Sequence, residues 1–322
     1  MTQCVLGVDV GGTSTKFIAA TREGEILASG SIPTDANEPA EKFFERLAGE
    51  ASKLLSERNL SPIAVGVGAP NGNRFRGTIE HPPNLVWGEV DVVGEVRKYF
   101  PVPVAADNDA NAAAIAEGRH GAARGHSHFV TLTLGTGVGG GVVADGKIVR
   151  GSDGFAGELG HLIAVPGGRE CGCGARGCLE TYASARGFKR TIFELLAERL
   201  DKTPLRDVSF NDLSGREIDK LAGQGDPIAT RAFFRTGEVL GRALANVVAV
   251  TQPAIVVLAG GLARAGDHLL QPARDALEMN LLNVYKGKTE LVVSEFTDGE
   301  GGALGAADLA WEELDGGAPR GI

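Results

Sequence analysis

The chain has no apolar run near the roughly 20 residues that span a bilayer, so a helical membrane protein is not expected. No segment concentrates Lys and Arg, and the formal net charge is −9. Nucleic-acid binders present a basic face, so no nucleic acid is expected as a partner. The basic region and small-residue cleavage site of a signal peptide are also missing. The chain runs at once into a predicted strand, Cys4 to Asp9. Together these absences point to a soluble protein of the cytoplasm, with no membrane partner. Long linkers and low-complexity stretches are lacking too. Cysteine is scarce: Cys4 stands alone, and Cys171, Cys173 and Cys178 crowd into eight residues. In a reducing compartment such crowding favours a metal over disulfides.

Glycine, by contrast, is in excess. The 322 residues include 47 glycines, about twice the usual share of about 7%. They follow no collagen period, so they must serve tight turns and close backbone approach. Hydrophobic residues make up 43%, enough to build cores. The length suits one large globular unit or two lobes of ordinary size.

One pattern occurs twice. Residues 4–32 read as strand, glycine turn, strand, polar turn, strand; residues 128–150 repeat that order. Each trio fits three antiparallel strands. Buried-strand patterns follow each trio, at 62–70 and 102–107 in the first half and at 254–261 and 290–296 in the second. Helical patterns start at Asn108 and run over about Ser184–Leu200, from near Asp226 to before Pro253, and over about Gly302–Glu313. Alternating short apolar runs and helices indicate α/β lobes with parallel strands beside the hairpins. A duplication predicts two similar lobes with a cleft between them. The end of the chain, 315–322, reads as frayed.

The first glycine turn is Asp9-Val10-Gly11-Gly12-Thr13-Ser14-Thr15-Lys16. Its backbone amides, hydroxyls and Lys16 suit an anion, and Asp9 suits a magnesium ion held through water. A plain hairpin turn is the competing reading. The second turn, Leu134 to Gly141, has five glycines in seven residues. A dinucleotide motif would open a helix, whereas here a strand follows. Ala106-Asp107-Asn108-Asp109-Ala110-Asn111 sits where a strand ends and a helix begins. One helix cap accounts for one such residue, so the surplus points to a polar site. Farther on, His161, Cys171, Cys173 and Cys178 can complete a tetrahedral Cys3His shell, a usual structural zinc set. Free thiols in a glycine-rich loop are the alternative.

Two phosphate-type turns at equivalent points of a repeat are more specific than either alone. Here the residues resemble the ROK family of sugar kinases and sugar-responsive repressors, within the actin-like ATPase superfamily. The resemblance runs from Asp9 to the helix after Gly302. It implies a duplicated actin-like, ribonuclease H-like α/β fold. We expect a smaller lobe over 1–120 and a larger one over 121–301 that carries the zinc loop, 157–180. The last helix, about 302–314, is expected to pack on the first lobe. ATP is implied between the lobes, its phosphates lined by Gly11, Gly12, Thr13, Lys16, Thr136, Gly137 and Gly139. Gly260 and Gly261 resemble the family's adenosine-side turn. Asn108, Glu158, His161 and Glu180 are implied sugar contacts, and Gly68 and Asn84 fit further ones. His161 would also bind zinc, one ring nitrogen on the metal and the other on a hydroxyl. The family usually has glycine directly after the proline at position 70; here Asn71 stands there.

Phosphoryl transfer to a hydroxyl needs a carboxylate that orients the hydroxyl and takes its proton. The resemblance gives that role to Asp109. The implied activity is transfer of the ATP γ-phosphate to a hexose, with glucose first and N-acetylglucosamine or N-acetylmannosamine next; fructose and allose remain open. The implied cofactors are magnesium and a structural zinc, and the family implies a dimer or tetramer. A sugar-sensing repressor would carry a DNA-binding segment ahead of the first turn, and here that turn begins at residue 9. A non-catalytic actin-like scaffold would explain the turns but not the polar residues. Trp87 is expected as a core or loop anchor. His81, His120, His126, His128 and His268 are expected at the surface or in loops.

Overall fold

The computed structural model describes residues 1–297 and 299–316. Along the chain, the elements are β1 (Thr2–Val10), β2 (Ser14–Ala20), β3 (Ile26–Pro33), α1 (Ala40–Glu57), β4 (Leu60–Ala69), β5 (Gly72–Asn73), β6 (Thr78–Glu80), β7 (Glu89–Asp91), α2 (Val92–Arg97), β8 (Val104–Asn108) and α3 (Asp109–Arg119). They continue as β9 (Phe129–Leu134), β10 (Val138–Ala144), β11 (Lys147–Ile148), α4 (Glu180–Ala183), α5 (Ala185–Glu198), α6 (Gly215–Gly223), α7 (Pro227–Thr251), β12 (Ile255–Ala259), α8 (Asp267–Asn280), β13 (Glu290–Val293) and α9 (Glu300–Leu314). The chain divides into two units. The first comprises Met1–Gly125, Ile148–Gly157 and the chain from Phe296; the second comprises His126–Lys147 and Glu158–Glu295.

Each unit is built on a five-stranded sheet, and the two sheets share one plan. Their orders are β3-β2-β1-β4-β8 and β11-β10-β9-β12-β13. In each, a meander supplies three strands and two parallel strands extend it. This is the duplicated α/β fold that the repeated pattern implies.

In the first unit, β1 is nearly continuous apolar sequence because both its faces are covered. Leu6 and Val8 point to one face and meet Phe43, Phe44, Leu47 and Leu55 of α1. Val5 points to the other and meets Ala303, Leu304, Ala307 and Ala310 of α9, as the strand period of two requires. Helix α9 lies so close that a Cβ at Gly66 would stand 1.7 Å from the Ala306 carbonyl oxygen. Trp87 is buried against Phe43 and Phe44, with ring centroids 5.1 and 5.8 Å away, and its Nε1 donates to the Glu38 carbonyl at 2.8 Å. The second unit has a single large core in which α5, α7 and α8 pack with β9, β12 and β13.

Several expectations shift. The third strand of the second meander shrinks to Lys147–Ile148. The chain then leaves for the first unit, where Arg150 meets Asp107 and the Asp153 carbonyl accepts from Asn73. Residues 148–157 therefore group with the first unit rather than with 121–301. Asp315 is held by both terminal nitrogens of Arg22, at 2.7 and 2.9 Å; the rest of the supposed frayed end, 317–322, lies outside the described residues. His120 is packed under Gly24, 3.2 Å from the buried Asp308 carboxylate, and His268 stacks on Phe233 at 5.9 Å. Both make tertiary contacts, His268 from within α8 and His120 from the turn that ends α3.

Candidate functional site

In the first unit the site forms at the carboxyl ends of β1, β4 and β8. Register sets Asp9 beside Gly68, Gly68 beside Asp107 and Ala69 beside Asn108. Helix α3 starts there, and a Cβ at Gly68 would approach Ala112 Cβ to 3.1 Å and Asp109 Cα to 3.6 Å. The bare glycine lets the helix start close to the strand ends.

The structure sorts the polar residues of this segment. Asp107 is fully buried, and its carboxylate accepts from the Asn108 amide, Asn111 Nδ2 and Arg150 Nε at 2.8, 2.9 and 2.7 Å. Asn108 is the helix cap, its Oδ1 accepting from the Ala110 and Asn111 amides. This leaves the Asn108 Nδ2 hydrogens as donors. Asp109 is half-buried in the first helical turn, and its Oδ1 accepts from the Ala110 amide at 2.8 Å. A carboxylate at a helix N-terminus is favoured in its ionised form.

Asp9 shares this environment. Desolvation, and then the nearby Asp109 charge, raise its carboxyl to about 7, against the opposing pull of Lys16. Lys16 stands opposite Asp9 on β2, and its chain lies against Gly299 at the start of α9. Gly11 and Gly12 turn the chain, and a Cβ at Gly12 would stand 3.3 Å from Asn84 Cβ. Thr13 is exposed. Asn84 and the first glycine turn are thus neighbours. Asn71 takes a left-handed φ of 54°, the conformation that glycine supplies most easily. Its Nδ2 donates to the carbonyls of Glu80 and His81.

In the second unit, the turn between β9 and β10 comprises Gly135, Thr136 and Gly137. Gly139 falls outside it, in β10 opposite Thr133, so part of the glycine excess there belongs to a strand. Gly260 and Gly261 follow β12, the parallel neighbour of β9. Gly260 has a φ of 90°, and a Cβ there would stand 2.6 Å from the Leu134 carbonyl oxygen. The two glycine pairs therefore lie at the same end of the sheet, past the carboxyl ends of β9 and β12.

Glu158 precedes a single helical turn, Leu159–His161, and burial raises its carboxyl, with Glu180 adding to the rise and His161 opposing it. Glu180 opens α4, and its Oε2 accepts from the Val138 amide at 3.0 Å. His161 Nδ1 lies 3.8 Å from Cys171 Sγ, Cys173 Sγ lies 3.6 Å from Cys178 Sγ, and the four candidate ligand atoms lie within 4.8 Å of one another. Tetrahedral zinc with bonds of about 2.0–2.3 Å puts its ligands about 3.4–3.8 Å apart, so the donor set fits. Burial pushes the Cys178 thiol up to about 12, a cost that a bound cation would offset. The loop closes through Gly177, whose φ is 87° and whose Cβ would strike the Val165 carbonyl oxygen at 1.8 Å. His161 Nε2, turned away from the thiols, lies 4.0 Å from Glu158.

Sequence reasoning missed long-range partners, among them Arg150 on Asp107, Arg169 on Glu194 and Asp308 on His120. Among the described residues no helix is long and apolar enough to cross a membrane.

The chain is 35% identical to a glucokinase from Thermotoga maritima, over 97% of this chain and 98% of that one. It superposes on the crystal structure of a ROK family glucokinase from Streptomyces griseus in complex with glucose and AMPPNP. The TM-score is 0.83 and the identity 32%, covering 96% of this chain and 99% of that one. A xylose repressor from Caldicellulosiruptor bescii is 27% identical over 91% of this chain and 75% of its own length. Residues 5–313 match the ROK family pattern, and the chain belongs to the ROK family.

Proposed function

We propose that this protein transfers the γ-phosphoryl group of ATP to a hydroxyl of a hexose, with glucose as the first candidate. The observation that carries the proposal is the sorting of the β8–α3 segment. Asp107 is bound to Arg150 and Asn111, Asn108 caps the helix, and Asp109 stands at the helix start within electrostatic reach of Asp9. A repressor needs sugar affinity but no acceptor for a proton. The similarity to enzymes named glucokinases supports glucose.

Asp109 is the general base. It orients the sugar hydroxyl and takes its proton as the new O–P bond forms and the bond from the γ-phosphorus to the β-γ bridging oxygen breaks. Asn108 Nδ2, Glu158, His161 Nε2 and Glu180 hold sugar hydroxyls, with Gly68 and Asn84 beside them. Gly11, Gly12, Thr13 and Lys16 hold phosphate oxygens, as do Thr136 and Gly137, with Gly139 two residues on in β10. Gly260 and Gly261 leave room for the nucleoside. Magnesium, held through water by Asp9, would neutralise phosphate charge. Zinc, held by His161, Cys171, Cys173 and Cys178, would fix the loop that carries the sugar contacts.

The test is ADP release with magnesium and ATP against a panel of hexoses and N-acetylhexosamines. One sugar with clearly the highest kcat/KM supports the proposal and names the substrate. No release with any sugar from folded protein contradicts it and favours a sensor.

A further inference from the structure

Arg169 lies two residues before Cys171 and is only 9% exposed. Its guanidinium uses all three nitrogens. Nε and Nη2 hold the Glu194 carboxylate at 2.9 and 2.5 Å. Nη2 also donates to Thr191 Oγ1 at 2.8 Å, and Nη1 donates to the carbonyls of Thr181 and Gly187 at 2.6 and 2.9 Å. The guanidinium lies over the Tyr182 ring, 4.3 Å from its centroid, and the Arg169 amide donates to the Tyr182 hydroxyl at 3.1 Å. The Arg169 carbonyl in turn accepts from the Gly177 amide at 2.8 Å, next to Cys178.

One side chain thus ties together the cysteine loop, α4 and the start of α5. Helix α4 needs such a tie. It has only four residues, and its cap, Leu179, makes no side-chain bond. So short a helix does not hold itself. Its first residue is Glu180, whose Oε2 meets the Val138 amide, and its second is Thr181, whose carbonyl Arg169 holds. The planar fork of arginine binds a carboxylate on one edge and two carbonyls on the other, which the single nitrogen of lysine cannot reproduce.

From this geometry we infer that Arg169 is a positioning residue for sugar recognition. Its guanidinium fixes α4 so that Glu180 keeps one carboxylate oxygen on the Val138 amide and presents the other to the substrate. The substrate half of the inference rests on the sugar role proposed above for Glu180; the positioning half does not.

Hydrogen exchange of the turn peptide spanning residues 135–139, followed by mass spectrometry on the full, zinc-loaded chain, reads the Val138 amide directly. Loss of a hydrogen bond to a charged group is expected to speed that exchange by about tenfold or more. We expect this in Arg169→Met and in Glu180→Ala, with peptides from β9 and β12 unchanged. Arg169→Lys should fall between wild type and Arg169→Met. In the same variants the sugar KM should rise by about tenfold for one lost charged hydrogen bond, while the ATP KM stays within about a factor of two. If Arg169→Met does not fold, Glu194→Gln gives the same reading, because Glu194 is half exposed and its loss frees the arginine fork. Unchanged turn exchange in a folded variant overturns the positioning role. Faster exchange with an unaltered sugar KM overturns the link to recognition. A wild-type chain that phosphorylates no hexose sinks the proposed function and leaves the exchange result to decide the positioning role.

Discussion

The Glu180 carboxylate accepts a hydrogen bond from the Val138 amide at 3.0 Å, and a Cβ at Gly137 would lie 2.6 Å from the same oxygen, Oε2. A proposed sugar contact therefore rests directly on the second glycine turn. The side chain can move, so Gly137→Ala should fold normally and displace Glu180 rather than the backbone. We expect little change in Tm and a rise of about tenfold or more in the sugar KM, as for loss of a charged hydrogen bond. Steady-state kinetics beside a thermal melt checks this, and unchanged kinetics would count against the contact.

Asp107 and Arg150 form the second testable pair. Asp107 is fully buried, and Arg150 Nε holds it at 2.7 Å. Arg150→Met leaves that carboxylate without its cation. Breaking a buried pair from one side costs about 3–5 kcal/mol, and we expect a loss of that order in urea unfolding. Adding Asp107→Asn should restore part of it, because no buried charge then remains. Additive losses in the double variant would contradict the pairing.

The raised carboxyl of Asp9 makes stability depend on pH. Its folded value, about 7, lies above the ordinary 3.8, so between these values the folded protein binds more protons than the unfolded one. Stability from this group is highest below about pH 4 and falls as pH rises towards about 7. Asp9→Asn removes the charge, so the variant should gain Tm over wild type at pH 8 and lose that advantage at pH 4. Melts of ligand-free protein in magnesium-free buffer test it. A constant Tm difference across this range would show that Asp9 does not titrate there.

The Cys3His set predicts one bound zinc per chain. Metal analysis of carefully reduced protein should find it, and Cys178→Ser should lose it together with sugar affinity. Wild-type protein with no zinc would remove the metal from the account.

What the sequence made legible is what its motifs hold in adjacent positions. The two turns, the polar run around Asp109 and the His161-to-Cys178 run each lie within a short stretch, so the sequence could single them out, and the resemblance supplied the roles expected of them. Pairs such as Arg150 with Asp107, Arg169 with Glu194 and His120 with Asp308 join distant positions. No local pattern marks them, because tertiary packing decides which charge meets which. The Asp-Asn-Asp-Ala-Asn run announced a polar site, yet which residue caps the helix and which is buried emerged only from the fold. Gly139 was read into the turn because glycine suits both turn and strand, and its pairing with Thr133 settles the matter.

The central claim is that Asp109 takes the hydroxyl proton. The most direct measurement compares Asp109→Asn with wild type, pairing calorimetric sugar affinity with single-turnover phosphoryl transfer. The account predicts near-normal affinity and a fall in transfer rate of about 10²–10⁴-fold, the usual worth of a positioned base. Transfer at close to the wild-type rate would contradict it.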